Sequence, residues 1–455
     1  IKEISVEAMY QYERTFGTVR QYHNANSFYA RDLVNQFSQL VGSDVKYNIP
    51  KGGILDLANN NIEAHSVRSQ INFSKTFNEN HQVTAIGGAE VRQVRSFSNN
   101  GRSYGYDEKL NVGNVDYVSI FPTYGNIEGA RVIPNLKGFN DRLTRMVSLY
   151  ANTSYTLMNK YILSGSLRND RSNLFGVNSN QKGVPLWSIG GSWKLSNEQF
   201  YNIPFLPVLN LRATYGASGN INNSVTALTT ISYNPASFQL TNTPFANIAN
   251  SPNPNLKWEK VKQTNFGLDF SITNNKLSGS IEYYIKKSTD VFGLEQLDLT
   301  TGVGSIINNS ANIRGTGLDL QINQKFISNT NFRWESSFFL SYTNYKVTKY
   351  LLKINTDNGY VGEGSTVIPL EGYNPYLVVS YKWGGLDPQT GDPIGFLDGK
   401  KSTNYDSLAY NSPLRDQVIH GSAVPTVFGG LLNTLTYKNV SISTNITYRL
   451  GYYFR

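Results

Sequence analysis

The sequence predicts an all-β protein, a transmembrane antiparallel up-and-down β-barrel. Three observations predict it. Segments of about ten residues alternate apolar and polar side chains with a period of two. The connections between them alternate between tight turns and long excursions. Aromatic residues gather beside the tight turns.

Composition agrees. Only 16% of the 455 residues are charged, against roughly 25% in an average soluble domain, while 13% are aromatic, with 30 Tyr and 3 Met. No apolar run approaches the roughly eighteen residues of a spanning helix, but a barrel shows lipid only alternate residues and escapes that test. The absence of cysteine excludes disulfides, thiol catalysis and thiolate metal sites. The net charge of +9 is spread without basic blocks, so no nucleic-acid partner is expected.

In chain order, residues 4–13 alternate as a first strand. HSVRSQINFSKTF and VTAIGGAEVRQV flank a short turn at Asn78–Gln82, and TRMVSLYANTSYTL and YILSGSLRNDR flank Met158–Lys160. Residues 185–195 and 207–216 follow, then TNFGLDFSI and LSGSIEYY around a polar break, TNNK. GTGLDLQINQK and FRWESSFFLSYTNY flank Phe326–Asn331, and VFGGLLNTLT and VSISTNITYRL flank Tyr437–Asn439. This gives about thirteen strands of roughly ten residues, the length a bilayer core demands.

Long excursions are expected at about 14–64, 95–143, 217–256 and 346–425, and an intermediate connection at 196–206 takes the place of a short turn. Such parity marks one trimmed rim of short periplasmic turns and one rim of long extracellular loops. NPYLVVSYKW (374–383) also reads as a strand, but a spanning role would reverse the side of every later turn, so it is placed within the last excursion. Phe77, Tyr155, Tyr161, Phe326, Phe332 and Tyr437 all fall near short turns, as an interfacial girdle requires.

Parity assigns Val147, Leu149, Ala151, Val440, Ile442 and Ile446 to lipid, with Lys75 as an exception near a turn that can snorkel. It assigns Arg168, Asp170, Arg212, Asp269, Glu282, Asp319, Arg333 and Glu335 to a wet lumen, and these are the candidate solute-lining residues. Asp170 and Asp269 read as lumen lining ahead of glycosidase carboxylates. The Asn, Tyr and Gly of loop stretches such as 99–117 are further candidates for contacting a solute.

No catalysis and no cofactor are expected. His23, His65, His81 and His420 are scattered, and no nucleophile elbow, phosphate loop or dinucleotide fingerprint occurs. GLDPQTGDP, with Asp387 and Asp392 near Thr390, reads as a structural turn ahead of a calcium loop.

Five segments together resemble the SusC/RagA family of TonB-dependent outer-membrane transporters of Bacteroidota. They are LRNDRSNLFGVNSNQKGVPLWSIGGSWKLSNEQF (167–200), LNLRATYGASGN (209–220), NPNLKWEKVKQTNFGLDFSITNNKLSGSIEYYIKKSTDVF (253–292), NIRGTGLDLQIN (312–323) and YKWGGLDPQTGDPIGFLDG (381–399). The resemblance implies a 22-stranded barrel, an N-terminal plug and a TonB-contacting segment in a Gram-negative outer membrane. It also implies a SusD-like surface lipoprotein as lid, energy from TonB, ExbB and ExbD, and import of oligosaccharides or peptides. Residues 1–455 are expected to be the central-to-late barrel portion, without plug or terminal strands, since the closing TYRLGYYFR looks like an interior strand. A passive porin or secretion channel, and a soluble carbohydrate-binding β protein, remain the alternatives.

Overall fold

The computed structural model describes residues 3–454 except 108, 110–111, 174–182, 221–227, 235–244, 299, 301–303, 352–356, 362–366 and 368. Thirteen strands form one sheet. They are β1 (Ile4–His23), β2 (Gly53–Phe77), β3 (His81–Tyr106), β4 (Gly138–Leu157), β5 (Tyr161–Ser172), β6 (Gly183–Lys194) and β7 (Val208–Asn220). The series continues with β8 (Glu259–Ser271), β9 (Leu277–Gln296), β10 (Ser305–Ser328), β11 (Phe332–Tyr350), β12 (Val427–Tyr437) and β13 (Val440–Leu450). Every strand pairs antiparallel with its chain neighbour, so the sheet is the up-and-down meander that the turn parity predicts. Among the described residues, β1 and β13 each pair on one side only.

Leu377–Tyr381, the strand inside 374–383, pairs with Gln417–Ser422 in a separate two-stranded sheet. It belongs to the excursion, and the direction of β12 is preserved.

The short rim is built from left-handed turns. Asn274 and Asn275 of TNNK have φ of 64° and 52°, and Met158 and Asn159 have 53° and 54°. Asn tolerates this region better than most residues because its side chain is short and polar. Adjacent turns are laced by backbone bonds, Met158 N–H to Asn80 O at 2.7 Å, Lys194 N–H to Lys160 O, Lys325 N–H to Lys276 O and Lys438 N–H to Asn331 O at 2.8 Å. The girdle residues gather here. Tyr161 stacks on Trp193 at 6.4 Å, and Phe326 lies tilted against Trp334 at 4.4 Å. Lys75 places its ammonium 5.2 Å from the Phe77 ring and 3.6 Å from the Glu3 carboxylate, a snorkelled position at the rim.

Cross-strand register decides the faces, because directly paired residues share one. Val67, Val91 and Val147 share a face, as do Leu211 with Leu268, Leu268 with Ile281 and Leu431 with Ile446. This face is apolar and uncovered, with Leu149, Leu163, Leu167, Ile189, Phe266, Val440, Ile442 and Ile446 all exposed. On β9 the apolar series Leu277, Gly279, Ile281, Tyr283, Ile285 spans about 27 Å of strand, or roughly 21 Å of height at a tilt near 40°, close to the band a bilayer core requires. The opposite face is largely polar, with apolar side chains such as Ile86, Leu186, Phe339 and Leu432 interspersed.

The strands run longer than the ten residues expected, from 11 to 26. The excursions shrink accordingly: 14–64 becomes 24–52, 95–143 becomes 107–137, 217–256 becomes 221–258 and 346–425 becomes 351–426. The reason is physical. Beyond the membrane both faces meet water, so the alternation fades in stretches such as ANNNIE, while the backbone ladder continues in register from Thr76 and Gln82 to Asp56 and Arg102.

Above this overhang the first two excursions build a small core. Helix α1 (Phe28–Gln36), capped by the Ser27 hydroxyl accepting from Ala30 N–H, brings Leu33 and Val34 against Phe37, Ile49, Ile54, Tyr104 and Ile133. Arg102, 5% exposed, donates to both carboxylate oxygens of Asp56 at 2.6 Å and ties β3 to β2 beneath it.

Candidate functional site

All eight candidate residues lie on the polar face. Register links Asp170 to Ser148 and Arg168 to Tyr150, and Ser166 and Ser188 carry the face on to β6. Ser192 pairs with Arg212, Asn210 with Asp269, Gly267 with Glu282, and Glu282 with Asp319. Asp319 pairs with Ser341, and two-residue steps down β11 bring Glu335 and Arg333 to the same side.

The structure gathers the first pair into a network across β2 to β5. Arg168 Nε donates to both oxygens of Asp170 at 2.7 and 2.9 Å, and its Nη2 donates to Ser148 Oγ at 2.9 Å. Arg68 Nη2 donates to Glu90 at 2.7 Å. The Tyr150 ring lies between the two guanidinium groups, 5.7 Å from each, and its hydroxyl donates to Gln70 Oε1 at 2.9 Å. A cleft of 500 Å³ opens beside it, lined on this face by Tyr150, Ser166, Arg168 and Gln263 together with the apolar Ile86, Leu186 and Val261. Side chains that present an aromatic ring, guanidinium forks and hydroxyls together can hold a polar solute by hydrogen bonds and ring contacts.

A second network joins β7, β8 and β9. Arg212 donates from Nε and Nη2 to Asp269 at 2.8 and 2.9 Å, and from Nη2 to Glu282 at 2.7 Å. Asn265 Nδ2 donates to the other Glu282 oxygen at 3.1 Å. One cation thus holds two carboxylates, with Asp319 directly across the ladder from Glu282. Arg333 and Glu335 stand nearer the short rim, opposite Ser328 and Lys325, away from both networks.

Sequence reasoning missed Glu90 and Tyr150, because the inner positions around them are Gly88 and Ile86 and only the pairing register joins the charges. The 99–117 stretch needs correction. Residues 99–106 belong to β3, and Tyr104 is fully buried with its hydroxyl donating to Pro134 O, so it serves the small core and does not face a solute. A larger groove of 690 Å³, lined by Trp193, Leu211, Phe266, Leu268, Ile281 and Tyr283, opens on the membrane side, where acyl chains lie.

Two acidic groups outside the strands have structural roles. In the 195–207 connection Glu198 accepts from Tyr161 Oη, Lys160 Nζ and Trp193 Nε1, and these donors hold its carboxyl down at about 2. Asp387 accepts from the Thr390 and Gln389 amides, which keep its carboxyl below the usual range and make 387–392 a closed turn.

With the wall, its faces and its rims in place, comparison with known proteins becomes decisive. Residues 5–451 match the family model described as TonB dependent receptor-like, beta-barrel. The chain belongs to this family.

Among its relatives, TonB-dependent receptor P39 of Formosa agariphila is 29% identical over 319 residues, covering 68% of this chain and 29% of that protein. TonB-dependent receptor SusC of Bacteroides thetaiotaomicron is 27% identical over 329 residues, covering 68% of this chain and 31% of that one. The solved RagAB peptide transporter shares the fold, with a TM-score of 0.75 at 20% identity, over 99% of this chain and 46% of that one. The chain therefore spans less than half the length of the curated relatives it matches. It is an outer-membrane barrel portion of the SusC/RagA type within the TonB-dependent receptors.

Proposed function

We propose that this barrel belongs to an active importer that takes up oligosaccharides, or peptides, across the outer membrane. A SusD-like surface lipoprotein closes its extracellular mouth, and TonB with ExbB and ExbD supplies the energy. The observation that carries the reading is one wall with two opposed surfaces. An uncovered apolar band backs directly onto a polar face whose charges of both signs are held in hydrogen-bonded networks. Arg168, Asp170, Arg212, Asp269, Glu282, Asp319, Arg333 and Glu335 then line the path of a polar solute, with mixed charge that selects against neither sign. The role proposed for them is contact with a passing solute, without bond making.

The test is uptake of labelled oligosaccharides and peptides by cells carrying or lacking the full-length gene, with and without an uncoupler of the inner membrane. Accumulation that needs both the gene and the membrane potential supports the importer. Gene-dependent entry indifferent to the uncoupler identifies a passive channel, and a protein extracted without detergent and lacking heat-modifiable migration ends the membrane reading.

A further inference from the structure

On the lipid-side face, just above the apolar band, four cations stand side by side. Lys262 pairs with Lys287, Lys287 with Arg314, and Arg314 with Lys346, each directly opposite the next across β8, β9, β10 and β11. All four are exposed. Beneath them, two and four residues nearer the short rim, lie the rows Thr264, Ile285, Thr316, Asn344 and Phe266, Tyr283, Leu318, Tyr342, so the row continues the membrane-facing surface. Lys287 sits ten residues beyond Leu277, about 26 Å above the short-turn rim at a tilt near 40°, the level at which hydrocarbon gives way to headgroups.

Like charges directly opposite in a ladder are destabilising. Four of them within about 15 Å of sheet width repel across less than two Debye lengths. Among the described residues none of the four has an acidic partner within salt-bridge distance, and the nearby Asp290 is engaged by Lys257 at 3.1 Å. The other half of the sheet is different. Farther from the short rim, fourteen residues above it on β2 and β3 against ten for Lys287 on β9, Arg14 meets Glu63 at 3.1 Å and Arg95 meets Asp141 at 2.6 Å. Neutralisation is built into β1 to β4 and left open on β8 to β11.

We propose that Lys262, Lys287, Arg314 and Lys346 form a binding site for the phosphate-bearing headgroup of an outer-leaflet lipid. Its acyl chains lie along the Phe266, Tyr283, Leu318 and Tyr342 row while its phosphates supply the missing counter-charge. Basic residues at a membrane surface recognise anionic headgroups in this way. The inference rests on the lipid-side assignment of this face and is independent of what the lumen carries.

The test uses the full-length protein and a variant combining Lys262→Gln, Lys287→Gln, Arg314→Gln and Lys346→Gln, with heat-modifiable migration confirming that both fold. Retention of phosphorylated lipid A during detergent exchange is read by native mass spectrometry, with dephosphorylated lipid A as control. Wild type is expected to hold the phosphorylated form on the order of a hundredfold more tightly than the variant, and both to hold the dephosphorylated form poorly. Should the quadruple variant fail to fold, Lys287→Thr alone serves. It is expected to raise the melting temperature in phosphate-free detergent and lower it with phosphorylated lipid. Equal retention by wild type and variant, indifference to the lipid phosphate, or displacement by millimolar inorganic phosphate overturns the proposal. So does loss of binding to an acidic protein partner while lipid retention is unchanged.

Discussion

Replacing Arg212 by Met keeps most of the side-chain volume and removes the cation that holds Asp269 and Glu282 together. Three hydrogen bonds are lost, two to Asp269 and one to Glu282. In a dry site each ionised partner would be worth about 1.5–3 kcal/mol, whereas a freely exposed pair is worth about 0.2–1 kcal/mol. Here all three side chains are about one-third exposed, at 35%, 32% and 30%, so water screens them and about 1 kcal/mol per carboxylate is the sensible value. Losing the arginine also leaves Glu282 facing Asp319 across the ladder, adding roughly 0.7 kcal/mol of repulsion at about 6 Å in water. The expected cost is therefore about 2–3 kcal/mol, read as urea unfolding of the folded protein in detergent by tryptophan fluorescence. Adding Glu282→Gln to Arg212→Met removes that repulsion and is expected to recover about 1 kcal/mol. A single variant within about 0.5 kcal/mol of wild type, or a double variant less stable than the single, refutes the account of one arginine balancing two carboxylates.

Other outcomes follow from the same wall. Leu149→Arg, in the middle of the lipid-side band, is expected to cost roughly 2–4 kcal/mol in urea unfolding in lipid vesicles, while Ser166→Arg on the polar face costs under about 1 kcal/mol. In the TNNK turn, Asn274→Val and Asn275→Val each force a β-branched residue into the left-handed region and are expected to cost about 1–2 kcal/mol, while Asn274→Gly is tolerated, all read as refolding yield and urea midpoint. Glu198 is ionised in the folded rim down to about pH 2, against 4.5 ordinarily, so its stabilising bonds are fully present above about 4.5 and are lost as pH falls from there through about 2. Amide exchange at the short rim is expected to quicken over that window in wild type, and Glu198→Gln to abolish the pH dependence.

The period of two was enough to place thirteen strands and to set eight charged residues on one face. Within the membrane one side of each strand must be apolar, so Leu211 and Arg212, or Leu268 and Asp269, declare their faces without any knowledge of partners. That logic lapses in water. The overhanging ends of β2 and β3 are polar on both sides and read as loop, and Tyr104 in the 99–117 stretch looked like a solute contact until Ile54, Phe37 and Ile133 were seen around it. Register was the other hidden quantity. Glu90 meets Arg68, and Lys262 stands in a row with Lys346, only because neighbouring strands pair in one alignment out of many, and no single strand records which.

The overhang has a mechanical consequence. From Phe77 to Ile54 and from His81 to Tyr104, β2 and β3 run as one uninterrupted ladder with its only irregularity at the far end, beside Gly53. Bending the small outer core relative to the barrel would mean tearing main-chain bonds in the upper part of that ladder, since the glycine pair Gly87–Gly88 lies low in the wall, opposite Ile71 and Gln70, and no bulge interrupts the pairing between it and Ile54. The core formed by α1, Phe37, Ile49 and Ile133 is thus carried as a fixed extension of the β2–β3 wall. A load applied to that core is passed straight down the paired strands into the wall rather than absorbed at a hinge.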